Sequence, residues 1–169
     1  LRMVGRARTL RYVALREDVQ AQYAGGFNAQ RRVVESMRPG DVLVIEARGV
    51  PDAATIGDIY ATRAFSLGAT GIVTDGALRD TPAIADMNQP VYHFASHGST
   101  FGRQHMPFSV DEPITCAGVV RGQEDGVPVV AEAGEVGEEG VAAGRVEGGG
   151  GFVEEQHGGV VEERGGEVD

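Results

Sequence analysis

Asp58, Arg79 and Asp80 are the residues of this chain whose types and spacing can do chemistry. They lie in the run GDIYATRAFSLGATGIVTDGALRD, from Gly57 to Asp80, with 20 residues between Asp58 and Arg79. An arginine offers a planar fork that pairs bidentately with a carboxylate or with an adjacent keto oxygen. The neighbouring aspartate offers a hard oxygen ligand to a divalent cation that keeps most of its waters, as magnesium prefers. Free amides at a helix start, here over Gly57, Asp58, Ile59 and Tyr60, also bind a carboxylate. All 15 basic residues are arginine. Without lysine there is no Schiff base and no phosphate-loop lysine. Chemistry on a carbonyl compound then runs through a metal or a preorganised electrostatic site. Each piece also has a plainer reading. Carboxylates such as Asp58 favour helix starts, and Asp80, directly before Thr81-Pro82, has the place of an N-cap. The conjunction is what favours a site for an anionic substrate and a metal.

The elements that position these residues follow from local pattern. Met3 to Leu15 reads as extended structure. Asn28 caps a helix over AQRRVVESM, which Pro39-Gly40 stops. DVLVIEA, Asp41 to Ala47, is a short β-branched run of the buried-strand kind. Arg48 to Thr55 is a loop, and Gly57 to Leu67 a helix ended by Gly68. Gly71 to Thr74 is a strand, followed by a turn at Asp75-Gly76. Thr81 to Met87 is a short helix with Pro82 in its first turn. Pro90 to Phe94 and the apolar Pro113 to Val120 are strands, with a loop over Ser96 to Glu112. Strand and helix alternating at this spacing predicts an α/β fold of βαβ units with right-handed crossovers. Ligands in such sheets bind beyond the carboxyl ends of the strands, which places the Gly57 and Arg79 corners on one rim.

The segments VLVIEARG, GDIYATRA, GATGIVTDGALRD, PVY and PITCAGV resemble the RraA-like family. That family contains regulators of ribonuclease E activity and metal-dependent 4-hydroxy-4-methyl-2-oxoglutarate aldolases that double as oxaloacetate decarboxylases. The resemblance covers residues 2 to 120, and the aspartate, twenty residues, then Arg-Asp is the aldolase hallmark. It implies a swivelling β/β/α domain assembled as a homotrimer or a pair of trimers, with sites between subunits. It implies that Gly57, Asp58, Ile59 and Tyr60 contact a pyruvyl substrate, that Arg79 binds the same substrate, and that Asp80 ligates magnesium or manganese. The implied reaction is class II cleavage of a 4-hydroxy-2-oxo acid or oxaloacetate, releasing pyruvate. The alternative is a non-catalytic regulator that binds a ribonuclease. Two departures stand out. The Leu- and Glu-rich helices with which relatives follow Pro113 to Val120 are missing, and Ala83 stands where some relatives carry a further acidic residue.

Composition narrows the rest. Residues 1 to 120 hold 12 arginines and 12 acidic residues, while 121 to 169 hold 13 acidic residues and three arginines, so the net charge of −10 belongs to the C-terminal part. A neutral body with an acidic extension gives no footprint for nucleic acid. Arg6, Arg8 and Arg11 read as the solvated face of a strand. No apolar run spans a membrane, and a lone Cys116, read as a small core residue, permits neither an internal disulfide nor a thiolate zinc site. The expected location is the cytoplasm, and Leu1 in place of methionine points to a fragment. His93 and His97 straddle a strand end and a loop, which disfavours a shared metal. His105 reads as loop structure, and Ser96 and Ser99 lack a hydrolase elbow. Residues 121 to 169 contain 14 glycines and ten valines but no Leu, Ile or Met. Such text buries little and costs much entropy to order. The expected organisation is an α/β domain over 1 to 120 and a disordered Gly/Val/Glu-rich tail over 121 to 169.

Overall fold

Strand β1 (Arg2–Ala14) changes the face it buries along its 13 residues. Met3 and Ala7 enter one apolar layer, and Leu10 and Tyr12 enter the other. The period of two keeps each set on its own side of the sheet. The computed structural model describes residues 2–117 together with strands 119–121, 128–133 and 144–147. β1 pairs in parallel with β2 (Asp41–Glu46), whose run Val42 to Ile45 is buried on both faces, as the unbroken apolar run predicts. β2 pairs with β4 (Gly71–Thr74), and β4 with β6 (Val91–Tyr92), all parallel.

A second, smaller parallel sheet is built from β3 (Ala54–Ile56), β5 (Ala77–Leu78) and β7 (Ala95–Ser96). The chain visits the sheets in turn. From β2 it passes to β3 and helix α3 (Asp58–Ser66), then from β4 to β5 and helix α4 (Thr81–Asp86), then from β6 to β7. The helices therefore start where strands of the small sheet end. The predicted βαβ alternation is present, but each corner is one short strand further out than the pattern suggests. Strands of two or three residues are too short to show alternation in sequence.

Asn28 caps helix α2 (Ala29–Glu35) as expected, its Oδ1 accepting from Arg31 N at 3.0 Å. α2 packs against β1, α3 and β8 (His105–Val110), a strand where a loop is expected. β8 pairs antiparallel with the second half of β1, and a short helical turn, α1 (Gln20–Tyr23), packs on it. Pro113 to Val120 is not one strand. β9 (Ile114–Cys116) turns at Ala117, φ 50°, into the antiparallel β10 (Val119–Arg121). β9 lies against β2, and its Ile114 and Cys116 complete the layer of Met3, Val42, Val44 and Val73. Cys116 is a buried core residue, as expected.

A further expectation needs correction. Arg8 is not on a solvated face: it is 8% exposed, its Nε and Nη2 bond Asp111 at 2.8 Å, and its Nη1 and Nη2 bond Ser36. An arginine on a buried strand face is tolerated when its charge and most of its donors are matched, which a strand pattern alone does not reveal. The main sheet continues past residue 120. Within the span assigned to the tail, β11 (Pro128–Ala133) pairs antiparallel with Arg2 to Arg6 of β1, and β12 (Gly144–Glu147) pairs with β11. The open edge of β1 supplies backbone partners that a count of apolar side chains leaves out. The other residues of 121 to 169 lie outside the described residues.

Candidate active site

Adjacent parallel strands bring the two corners together. Ile56 of β3 sits beside Leu78 of β5, and Arg79 N donates to Ile56 O at 3.2 Å. Gly57 is the N-cap of α3 and Asp80 that of α4. Gly57 is needed for space rather than for its backbone angles, since φ is −128°. A Cβ there would run into Asp80 Oδ2, Arg79 Nε and Arg79 Cγ. The arginine and the aspartate thus rest on the bare backbone of the neighbouring corner.

Arg79 Nε lies 3.2 Å from Asp80 Oδ2, with the side chains 31% and 43% exposed. Asp80 does not act as the cap its position suggests. Its side chain makes no capping hydrogen bond, and its backbone is left-handed, φ 56° and ψ 31°. A non-glycine residue in that region is uncommon and is often found at functional sites. Asp58 keeps more of the plain reading, because its Oδ1 accepts from Ile59 N at 2.8 Å. In the first turn of α3 the Ile59 amide is therefore taken, and those of Asp58 and Tyr60 remain for a ligand.

A cavity of about 280 Å³ opens beside these corners, lined by Gly57, Tyr60, Arg79, Arg31, Gln30 and Phe101 among others. Asp58 and Asp80 are not in its lining. Its floor is fixed by Thr55 O, which accepts from Tyr12 Oη at 2.8 Å and from Gln30 Nε2 at 2.7 Å. Burial raises the Tyr12 hydroxyl well above its ordinary value, so that it stays a donor. Arg31, whose Nε donates to Tyr60 Oη at 3.2 Å, was not singled out in the sequence. The only signal for it was its place in the first turn of a capped helix, which says nothing of the distant strands it faces.

The residues present fit a cation that keeps its own waters. Asp80 is an exposed carboxylate with no capping duty, and among the described residues no cluster of three His, Cys, Asp or Glu forms a protein cage. His93 Nε2 pairs with Ser96 Oγ at 3.2 Å and His97 Nδ1 with Ser99 Oγ at 2.8 Å, so each has a hydroxyl partner. His105 is no loop residue. It lies in β8, fully buried, its ring 4.6 Å from that of Tyr12, and among the described residues neither ring nitrogen has a hydrogen-bond partner. Burial, with Arg48 nearby, lowers its pKa to about 4.

Comparison with known proteins adds lineage to this geometry. A model of the RraA-like family, Aldolase/RraA, matches residues 2–134, which reaches beyond residue 120 and takes in β11. Over 124 residues the chain is 34% identical to a protein of Halalkalibacterium halodurans named "Putative 4-hydroxy-4-methyl-2-oxoglutarate aldolase", covering 68% of this chain and 58% of that one. A Pseudomonas fluorescens protein of the same name is 34% identical over 80 residues, 47% of this chain and 48% of that one. The chain spans about half the length of the curated relatives it matches. The crystal structure of Streptomyces coelicolor RraAS2, described as an unusual member of the RNase ES inhibitor RraA protein family, superposes with a TM-score of 0.67 at 28% identity, covering 84% of this chain and 64% of that one. The RNA-processing inhibitor RraA from Thermus thermophilis gives 0.55 at 26% identity, over 76% and 70%.

Proposed function

The chain belongs to the RraA-like family, and from that membership we propose that it is a divalent-metal-dependent class II lyase, cleaving a 4-hydroxy-2-oxo acid or oxaloacetate to release pyruvate. The observation that carries the reading is the Arg79–Asp80 pair resting on Gly57 at the mouth of a cavity. Arg79 holds the carboxylate and keto oxygens of the pyruvyl half. The amides of Asp58 and Tyr60 add donors to the same group. Asp58 fixes the helix start through Ile59 N, and its second oxygen faces no protein partner among the described residues. Asp80 would hold magnesium or manganese, which supplies Lewis acidity where enolate charge develops. Arg79, already placed, stabilises the same charge without reorganising. A homotrimer or a pair of trimers, with sites between subunits, agrees with Ile59 and Phe94 being 72% and 63% exposed. No described helix is long and apolar enough to cross a membrane, and we place the protein in the cytoplasm.

Chelation should abolish pyruvate release from oxaloacetate, and magnesium or manganese should restore it. Turnover persisting in excess chelator, or trapping of substrate by borohydride, would defeat the proposal. A second reading, a regulator that binds a ribonuclease without turnover, draws on the RraA names of the two solved structures. Inhibition of ribonuclease E by a protein with no lyase activity would favour it.

A further inference from the structure

Two arginines line the 280 Å³ cavity, and no carboxylate does. Arg79 leans on Asp80. Arg31 leans on no acid among the described residues. Among the described residues its side chain has one partner, Tyr60 Oη, and its two Nη nitrogens have no acceptor. This is unlike Arg6, Arg8, Arg11, Arg16 and Arg63, each of which is paired with an aspartate or glutamate. A guanidinium set on a cavity without a counter-charge is a place for an anion, and its planar fork suits a carboxylate. Tyr60 accepts from Arg31 Nε, which leaves its own hydroxyl hydrogen to donate to the same anion. The two cations also reach the cavity from different elements, Arg31 from the first turn of α2 and Arg79 from the end of β5. One carboxylate occupies one fork. Two forks on one small cavity match a molecule with a carboxylate at each end.

We infer that Arg31, steadied by Tyr60, is a second anion subsite that holds the distal carboxylate of a 2-oxo dicarboxylate, making the site selective for dicarboxylates over 2-oxo monocarboxylates of equal length. The inference rests on Arg79 taking the pyruvyl end, as proposed above.

The test is calorimetric binding of 2-oxoglutarate and 2-oxopentanoate to the full chain, with and without magnesium. The two ligands share a carbon count and differ in the distal carboxylate. Wild type should bind 2-oxoglutarate about tenfold tighter or better, the size of one charge-assisted contact. Arg31→Gln should shrink that ratio to about threefold or less by weakening 2-oxoglutarate far more than 2-oxopentanoate, and Tyr60→Phe should fall between. Arg79→Gln should weaken both ligands. Cleavage of 4-hydroxy-4-methyl-2-oxoglutarate against 4-hydroxy-2-oxopentanoate should show the same split in kcat/KM. A wild type that binds both ligands alike, or an Arg31→Gln protein that loses both equally, overturns the subsite. Selective binding of 2-oxoglutarate without any turnover supports the subsite and counts against the lyase reading alone.

Discussion

Arg79 and Asp80 make opposite demands on a conservative substitution. Arg79→Lys keeps the charge but loses the fork, so kcat/KM should fall by about tenfold or more, or at least ~1.4 kcal/mol of transition-state stabilisation. Asp80→Asn keeps a residue that tolerates the left-handed backbone at φ 56° and removes only the charge. Its melting temperature should stay near wild type while its metal affinity drops. Were Asp80 a helix cap, Asp80→Ala would cost about 1 kcal/mol of stability through a lost capping bond. No such bond exists here, so any stability cost of Asp80→Ala comes from the left-handed backbone, and Asp80→Asn, compared by steady-state kinetics and a thermal melt, reads the loss of charge alone. At this scale the Arg79–Asp80 contact was legible from adjacency in the sequence, and the roles proposed for the pair rest on that adjacency and on a fixed spacing from Asp58. It was silent on Arg31, whose meaning lies in a cavity assembled from α2, β3 and β5. Residues 31 and 79 are far apart in the chain, and no local pattern connects them.

Among the elements, strands and helices of four or more residues with a cap or an unbroken apolar run were readable. Asn28 and the Val42 to Ile45 run are the clearest cases. The rim strands β3, β5 and β7 and the hairpin turn at Ala117 were not, because they depend on pairing with distant chain rather than on their own periodicity. β8 was missed for a related reason. It contains Pro107 and a buried histidine, and its pairing with β1 is irregular between Arg11 and Tyr12. Gly57 joins the element scale to the site. Alanine fits its backbone angles, and the atoms its Cβ would meet are the outer parts of Arg79 and Asp80 rather than main chain. Gly57→Ala should therefore fold with little loss of stability, displace the Arg79–Asp80 pair, and lower kcat/KM for every substrate. A variant that melts like wild type and retains full activity would show that the close approach at this corner has no consequence for the reaction.

At the level of the whole molecule, β1 ties the architecture together, with β2 along one edge and β8 and β11 sharing the other. His105 sits in the β1–β8 joint, its ring tilted at 45° against that of Tyr12. Its folded pKa of about 4 lies below the ordinary 6.5, so the unfolded chain binds the extra proton between those values. The neutral ring's contribution is complete above pH 6.5 and is lost as pH falls toward 4, at up to about 1.4 kcal/mol per pH unit. Denaturant midpoints at pH 7 and pH 5 should separate for wild type and separate less for His105→Leu. Equal separation would mean that other groups dominate the acid response.

The rim that carries Gly57 and Arg79 has strands of three, two and two residues. So short a ladder can come apart while the main sheet stays intact, and the free energy of such an excursion is set by a handful of backbone bonds rather than by the core. Under the proposed reading, the timing of ligand entry and departure would belong to the rim, independent of how hard the protein is to unfold. A dianion gripped by Arg31 on one side and Arg79 on the other would act as a clasp across α2 and the rim. It would slow amide exchange at Ile56, Leu78 and their neighbours, and leave the rate at Val44 unchanged.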